Sequence, residues 1–140
     1  MKLNIFYSDR FNFHLNIKEI KRRLLLIAFF ERRKIKFINL IIVGDREIIL
    51  INKKYFKHNY PTDIITFNYS NSKEIIGDIF ISLNSIKYNA SKFNNNIDIE
   101  IYRIIIHGIL HLFNYRDKKK NEKLLMKKLE NLYLKLFYKY

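Results

Sequence analysis

The chain contains no cysteine among its 140 residues, so disulfide scaffolds, thiolate zinc fingers and cysteine nucleophiles are all excluded. Any bound metal must be held by histidine and carboxylate. There is one proline and there are three glycines, with no Ser- or Pro-rich stretch, so nothing marks a linker or an internal domain boundary. Long apolar runs are missing too. The longest, Leu24 to Phe30, stops at Arg23 and Glu31 and falls far short of the roughly 18 residues a membrane span requires. Lys2, Asp9 and Arg10 open the chain with no apolar stretch of signal-peptide length, so a soluble, cytoplasmic protein without membrane association is expected.

What is present suits one buried core: 49% hydrophobic and 16% aromatic residues, enough to exclude a disordered tail or a fibrous repeat. Lys and Arg number 27 against 13 Asp and Glu, a formal charge of +14. Such an excess suits a polyanionic partner, because phosphates bound by cations release condensed counterions. Ile, Lys and Asn crowd the chain while Ala and Gly are scarce, however, and biased base composition alone produces that pattern. Charge by itself therefore does not assign a nucleic acid.

Periodicity supplies the elements. Met1 to Tyr7 reads as a strand, Ile17 to Arg33 as a helix with Ile20, Leu24, Ile27 and Phe30 at helical spacing, and Ile35 to Val43 as a buried strand, a β-α-β start. Gly44-Asp45 turns into a helix from Arg46 to about Lys57. Asp63–Tyr69 and Ile75–Ser82 are strands expected to pair as a hairpin across Ser70–Lys73. A short helix, Leu83 to Phe93, and an Asn-rich loop lead to a strongly apolar segment, Asp98 to Phe113. The last helix is expected to bury Leu125, Leu129, Leu132 and Leu136 on one face. The sum is a single α+β domain over residues 1–140, a small mixed β-sheet with about five helices.

Within the apolar segment the ionisable residues beyond the first turn are Arg103, His107 and His111, four apart and so on one face of a helix. Two histidines one turn apart can aim their nitrogens at one point, the arrangement a divalent metal needs. A buried histidine is more often a hydrogen-bonded core residue, so the pair alone leaves both readings open. Asn114 then tolerates the left-handed conformation that ends a helix, and the reversal brings Asp117, six residues past His111, back toward the pair. The spacing is similar to the metzincin pattern H-E-x-x-H-x-x-G-x-x-H, with Asn114 at the Gly, Asp117 at the last His, and Gly108 where the catalytic Glu would stand. A ligand frame of that kind without its general base suits a metal hydrolase other than a protease.

His107-Gly108-Ile109-Leu110-His111-Leu112-Phe113-Asn114-Tyr115 resembles the H-G-x-L-H-L-x-G-Y signature of the YbeY family of metal-dependent endoribonucleases. Pro61–Phe67 resembles that family's P-T-D-V-L-S-F, Gly77–Ser82 its G-D-I-x-I-S, and Asn52 and Tyr55 its N-x-x-Y. The resemblance covers about Asn52 to Asp117. It implies one Zn2+ on His107, His111 and Asp117, with single-stranded ribosomal RNA as substrate, the 3' end of the small-subunit RNA as the site of maturation, and the small ribosomal subunit as partner. Where the family continues Y-D-H, this chain has Tyr115-Arg116-Asp117. A carboxylate is an acceptable zinc ligand, but it lowers the charge at the ion and keeps manganese and iron in contention. Phe56 stands where many members carry an Arg that assists cleavage, so that role does not transfer, and the catalytic residues remain unassigned.

Other residues have two readings. Asp63 and Asp78 interrupt apolar strands and are either carboxylates orienting a ligating histidine or turn and edge groups bonded to backbone amides. Arg103 either holds a phosphate or pairs with Glu100. Lys118, Lys119, Lys120, Lys123, Lys127 and Lys128 either line the mouth of a site or form a solvated face. His14 and His58 read as surface residues. An RNA hydrolase is one function class that fits; a ribosome-associated RNA-binding factor with a structural metal is the other.

Overall fold

Ile35–Val43 is a β-branched run apolar on both faces, which a strand tolerates only in the middle of a sheet covered on both sides. A computed structural model describes residues 1–8, 14–58 and 62–139 and gives the order β1 (Lys2–Tyr7), α1 (Ile17–Glu31), β2 (Ile35–Val43), α2 (Asp45–Phe56), β3 (Ile64–Asn68), β4 (Ile75–Ser82), α3 (Leu83–Lys92), α4 (Ile97–Leu112) and α5 (Lys120–Lys139). Pro61, part of one motif quoted above, lies outside the described residues. The sheet runs β1-β2-β4-β3, with β2 parallel to β1 and β4 and only β3 antiparallel. The β-α-β start, the hairpin, the mixed sheet and the five helices are as the sequence leads one to expect.

The sheet is the middle of three layers. Ile38 pairs with Gly77, Leu40 with Ile79 and Ile42 with Ile81 on the face that carries the main core, completed by α1, α3, α4 and α5. The alternate residues Ile41, Val43, Ile65 and Phe80 meet Ile48 of α2 on the other face. Two glycines let α4 press onto the sheet. A Cβ on Gly108 would lie 2.8 Å from Ile64 Cδ1 and 2.9 Å from Ile79 Cγ2; one on Gly77 would lie 2.7 Å from Leu112 Cδ2. The absent side chains set how closely the helix approaches.

The last helix differs from the expected phase. Leu125 and Leu132 are 46% and 49% exposed, Leu129 and Leu136 pack half-buried against the core as expected, and Met126, Glu130, Tyr133 and Phe137 face it fully. The centre of the buried stripe lies one residue on, about 100° around the helix, because the core-facing set contains a glutamate and a tyrosine that bond half-buried partners: Glu130 to His107, and the Tyr133 hydroxyl to Glu31. No helix among the described residues is long and apolar enough to cross a membrane.

Candidate metal centre

Helix α4 begins at Asn96, whose side chain accepts from the Asp98 amide at 2.9 Å, and Asp98 and Glu100 sit in its positive first turn. It ends in a Schellman turn. Asn114 takes φ 72°, its N–H donates to the His111 carbonyl at 2.9 Å, and the Tyr115 N–H donates to the Leu110 carbonyl at 3.0 Å. This closure turns the chain back on the helix and brings Asp117 over the two histidines.

His107 Nε2 and His111 Nε2 lie 3.0 Å apart, and Asp117 Oδ2 lies 3.2 Å from the first and 3.3 Å from the second. The three residues form a group able to hold a metal ion. Tetrahedral zinc with ligand bonds of about 2.0–2.1 Å has ligand-to-ligand edges of about 3.3–3.4 Å, close to this triangle. The proton inventory agrees. His111 Nδ1 faces the Tyr115 carbonyl at 3.0 Å and must donate to it; His107 Nδ1 donates to Glu130 Oε2 at 2.8 Å. With each Nδ1 engaged from behind, the two Nε2 atoms and a carboxylate oxygen face one point. Three such atoms converging on one point make a group able to hold a cation.

The surrounding charges support the ring orientations. Burial disfavours a charged His107, but the hydrogen bond and charge of Glu130, with Asp117 and Asp63 nearby, outweigh it and leave the imidazole above its ordinary pKa. Glu130 is itself 3.7 Å from Arg103 Nη1, which donates at 2.8 Å to Asn131 Oδ1, while Arg103 Nε stands 4.0 Å from Glu100. The expected Arg103–Glu100 pair is thus one edge of a larger network. The Tyr115 hydroxyl donates to Glu31 Oε1 at 2.6 Å and the Tyr133 hydroxyl to the other oxygen, tying the turn that carries Asp117 to α1 and α5.

The ligand set lies in a cavity of about 580 Å³ with Thr62, Asp63, Ile64 and Thr66, and the side chains of His107, His111 and Asp117 keep 23%, 24% and 36% exposure. Asp63 lines this cavity. Asp78 lies on the opposite face of the sheet, accepting from Asn39 at 2.9 Å, so the carboxylate that orients a site histidine is Glu130, a residue the sequence reading missed. Lys118 lines a neighbouring cavity with His111, and Lys123 and Lys127 line another with His107 and Asp117, so part of the lysine run does border the site. His14 and His58 are exposed, as expected.

A mixed sheet backing a helix that carries two histidines, with a carboxylate returned by the helix-ending turn and one face of the set open, defines a metal-hydrolase type of α+β protein. The family model for endoribonuclease YbeY matches residues 8–138, and the chain belongs to that family. It is 42% identical over 132 residues to the endoribonuclease YbeY of Karelsulcia muelleri, covering 94% of this chain and 93% of the relative. Identity to that of Bacteroides fragilis is 38% over 122 residues, covering 84% and 88%. The solution structure of a Thermotoga maritima protein, 24% identical, superposes with a TM-score of 0.65 over 97% of this chain and 89% of the other, a likeness of fold.

Proposed function

We propose that the chain is a metal-dependent endoribonuclease, that residues 1–140 work as one catalytic domain in the cytoplasm, and that its substrate is single-stranded ribosomal RNA at the 3' end of the small-subunit precursor. The observation that carries the metal dependence is the convergence of His107, His111 and Asp117 on one point, with both imidazoles fixed from behind and the opposite side open to solvent. A divalent ion held there, zinc by preference for this donor set, supplies Lewis-acid polarisation of a phosphodiester and lowers the pKa of a water. The chain's own residues hold and orient. Glu130 and the Tyr115 carbonyl keep the Nε2 lone pairs aimed, Glu31 fixes the turn carrying Asp117, and Lys118, Lys123 and Lys127 lie where they would neutralise RNA phosphates on either side.

A ribosome-associated binding factor with a structural metal is the second reading. Structural sites close their coordination with four protein ligands, whereas this set offers three beside a cavity of about 580 Å³, which favours the enzyme. Purified protein should cleave a single-stranded precursor fragment with zinc or manganese, stop on chelation, and lose cleavage in His111→Ala and Asp117→Ala without losing the folded state. Folded, metal-loaded protein that never cleaves would favour the binding factor. A substrate with one 2'-deoxy sugar at the cut separates attack by water from attack by the ribose hydroxyl.

A further inference from the structure

Tyr55 and Phe56 close helix α2 with rings that remain 56% and 44% exposed. They are nevertheless fixed. Phe67 of β3 meets the Tyr55 ring edge-on at 5.1 Å between centroids and stacks on Phe56 at 5.9 Å with 29° between the planes. Phe80 of β4 braces Phe67 from behind at 5.8 Å. Rings anchored on a sheet offer a flat apolar surface whose ordering cost is already met by the fold.

One ring of the cluster, Phe56, borders the metal cleft directly. Phe56 shares a cavity of about 380 Å³ with His111, Thr62 and Lys118, and that cavity has Thr62, Ile64, Thr66 and His111 in common with the one over the ligand set. Around the edge strand β3, on the α2 face of the sheet, Tyr55 and Phe67 line a further recess of about 470 Å³ together with Lys54 and Asp78. Around the rings cations outnumber carboxylates, Asp78 being the acidic residue in the recess that Tyr55 and Phe67 line. Lys53, Lys54 and Lys57 are exposed at the same end of α2, Lys54 Nζ lies 5.3 Å from the Tyr55 centroid, and among the described residues lining the 380 Å³ cavity none is acidic. Exposed rings set among lysines and leading from a hydrolytic centre suit a polyanion carrying flat bases better than an apolar peptide.

We infer that Tyr55, Phe56 and Phe67 form a base-stacking subsite, which seats a nucleotide of the single strand to one side of the scissile phosphate; this rests on the endoribonuclease reading. The chain has no tryptophan, so Phe56→Trp introduces a single indole reporter at the subsite. A short single-stranded oligoribonucleotide should quench that indole in stopped flow before cleavage proceeds. In the reciprocal experiment, 2-aminopurine moved along the oligonucleotide should be quenched at one or two adjacent positions by the wild-type chain. Tyr55→Leu with Phe56→Leu, checked for an unchanged unfolding transition, should abolish that position dependence and weaken binding about tenfold or more. Wild-type affinity and quenching in the double leucine variant would overturn the inference and leave the patch as a docking face for protein. Position-specific quenching by a chain that cleaves no RNA with any divalent metal would sink the enzyme reading and keep the subsite.

Discussion

Glu130 contributes to the centre through one atom pair, Oε2 to His107 Nδ1 at 2.8 Å, across 23 residues of sequence. A carboxylate behind a ligating imidazole fixes its tautomer and raises its basicity, and loss of such a partner typically lowers metal affinity about 10–100-fold. Glu130→Ala should fall in that range in a chelator-competition titration. Glu130→Gln, which keeps an acceptor oxygen without the charge, should fall less, and both should retain wild-type helical content by circular dichroism. Equal affinity in all three proteins would show that the pair does not tune the site. The histidines were readable because four residues make one helical turn, and Asp117 because Asn114 can adopt a left-handed turn. Glu130 was not, since its partner lies on another helix and a lone glutamate among leucines reads as the polar face.

The phase of α5 shows how one polar contact misleads a periodicity argument at the scale of elements. Leucines at 125, 129, 132 and 136 form the more apolar stripe, yet the buried stripe includes Glu130 and Tyr133, whose bonds to His107 and Glu31 repay their burial. Helix α4 lacked that ambiguity, being apolar nearly all round. What its sequence could not reveal is that Gly108 is needed for contact. Gly108→Ala would drive a methyl against Ile79 Cγ2, which is attached at a branched carbon and cannot swing aside, so a destabilisation of about 1–3 kcal/mol is expected in urea unfolding. A neutral or stabilising result, as helix propensity alone would give, would mean that the layers separate freely. The joint between α1, the α4 turn and α5 gives a pH signature. Its hydrogen bond to Glu31, aided by burial, raises the Tyr115 hydroxyl to about 12; burial and then the same carboxylate push Tyr133 upward as well. A phenol whose pKa is higher in the folded than in the unfolded chain binds more protons when folded, so its stabilisation is complete below about pH 10 and is lost as pH rises toward 12. Unfolding midpoints should drop across that window in the wild type and less in Tyr115→Phe.

For the whole molecule, the sum of charge is plain in composition, but its placement depends on the fold. A net +14 on 140 residues can arise from base composition, and the six lysines between residues 118 and 128 could all have faced bulk solvent. The fold instead sends Lys118 to the flank that Phe56 shares with His111, and Lys123 and Lys127, with Arg103, to the flank that His107 shares with Asp117. A strand crossing the metal cleft would thus meet cations on both sides of the ligand set, and each phosphate neutralised lowers the slope of log K against log salt by about 0.7 for single strands. Engagement of four to six phosphates predicts a slope of about −3 to −4 in binding isotherms between 50 and 200 mM salt. Lys123→Gln with Lys127→Gln should flatten that slope by about 1.4 and weaken binding alike for every sequence tested, because phosphate contacts carry no base information. Removal of two lysines remote from both cavities, Lys34 and Lys36, should leave the slope within error of wild type. A slope that flattens equally for both pairs would mean that RNA senses only the summed charge of the chain, and that the cleft does not direct the path of the strand.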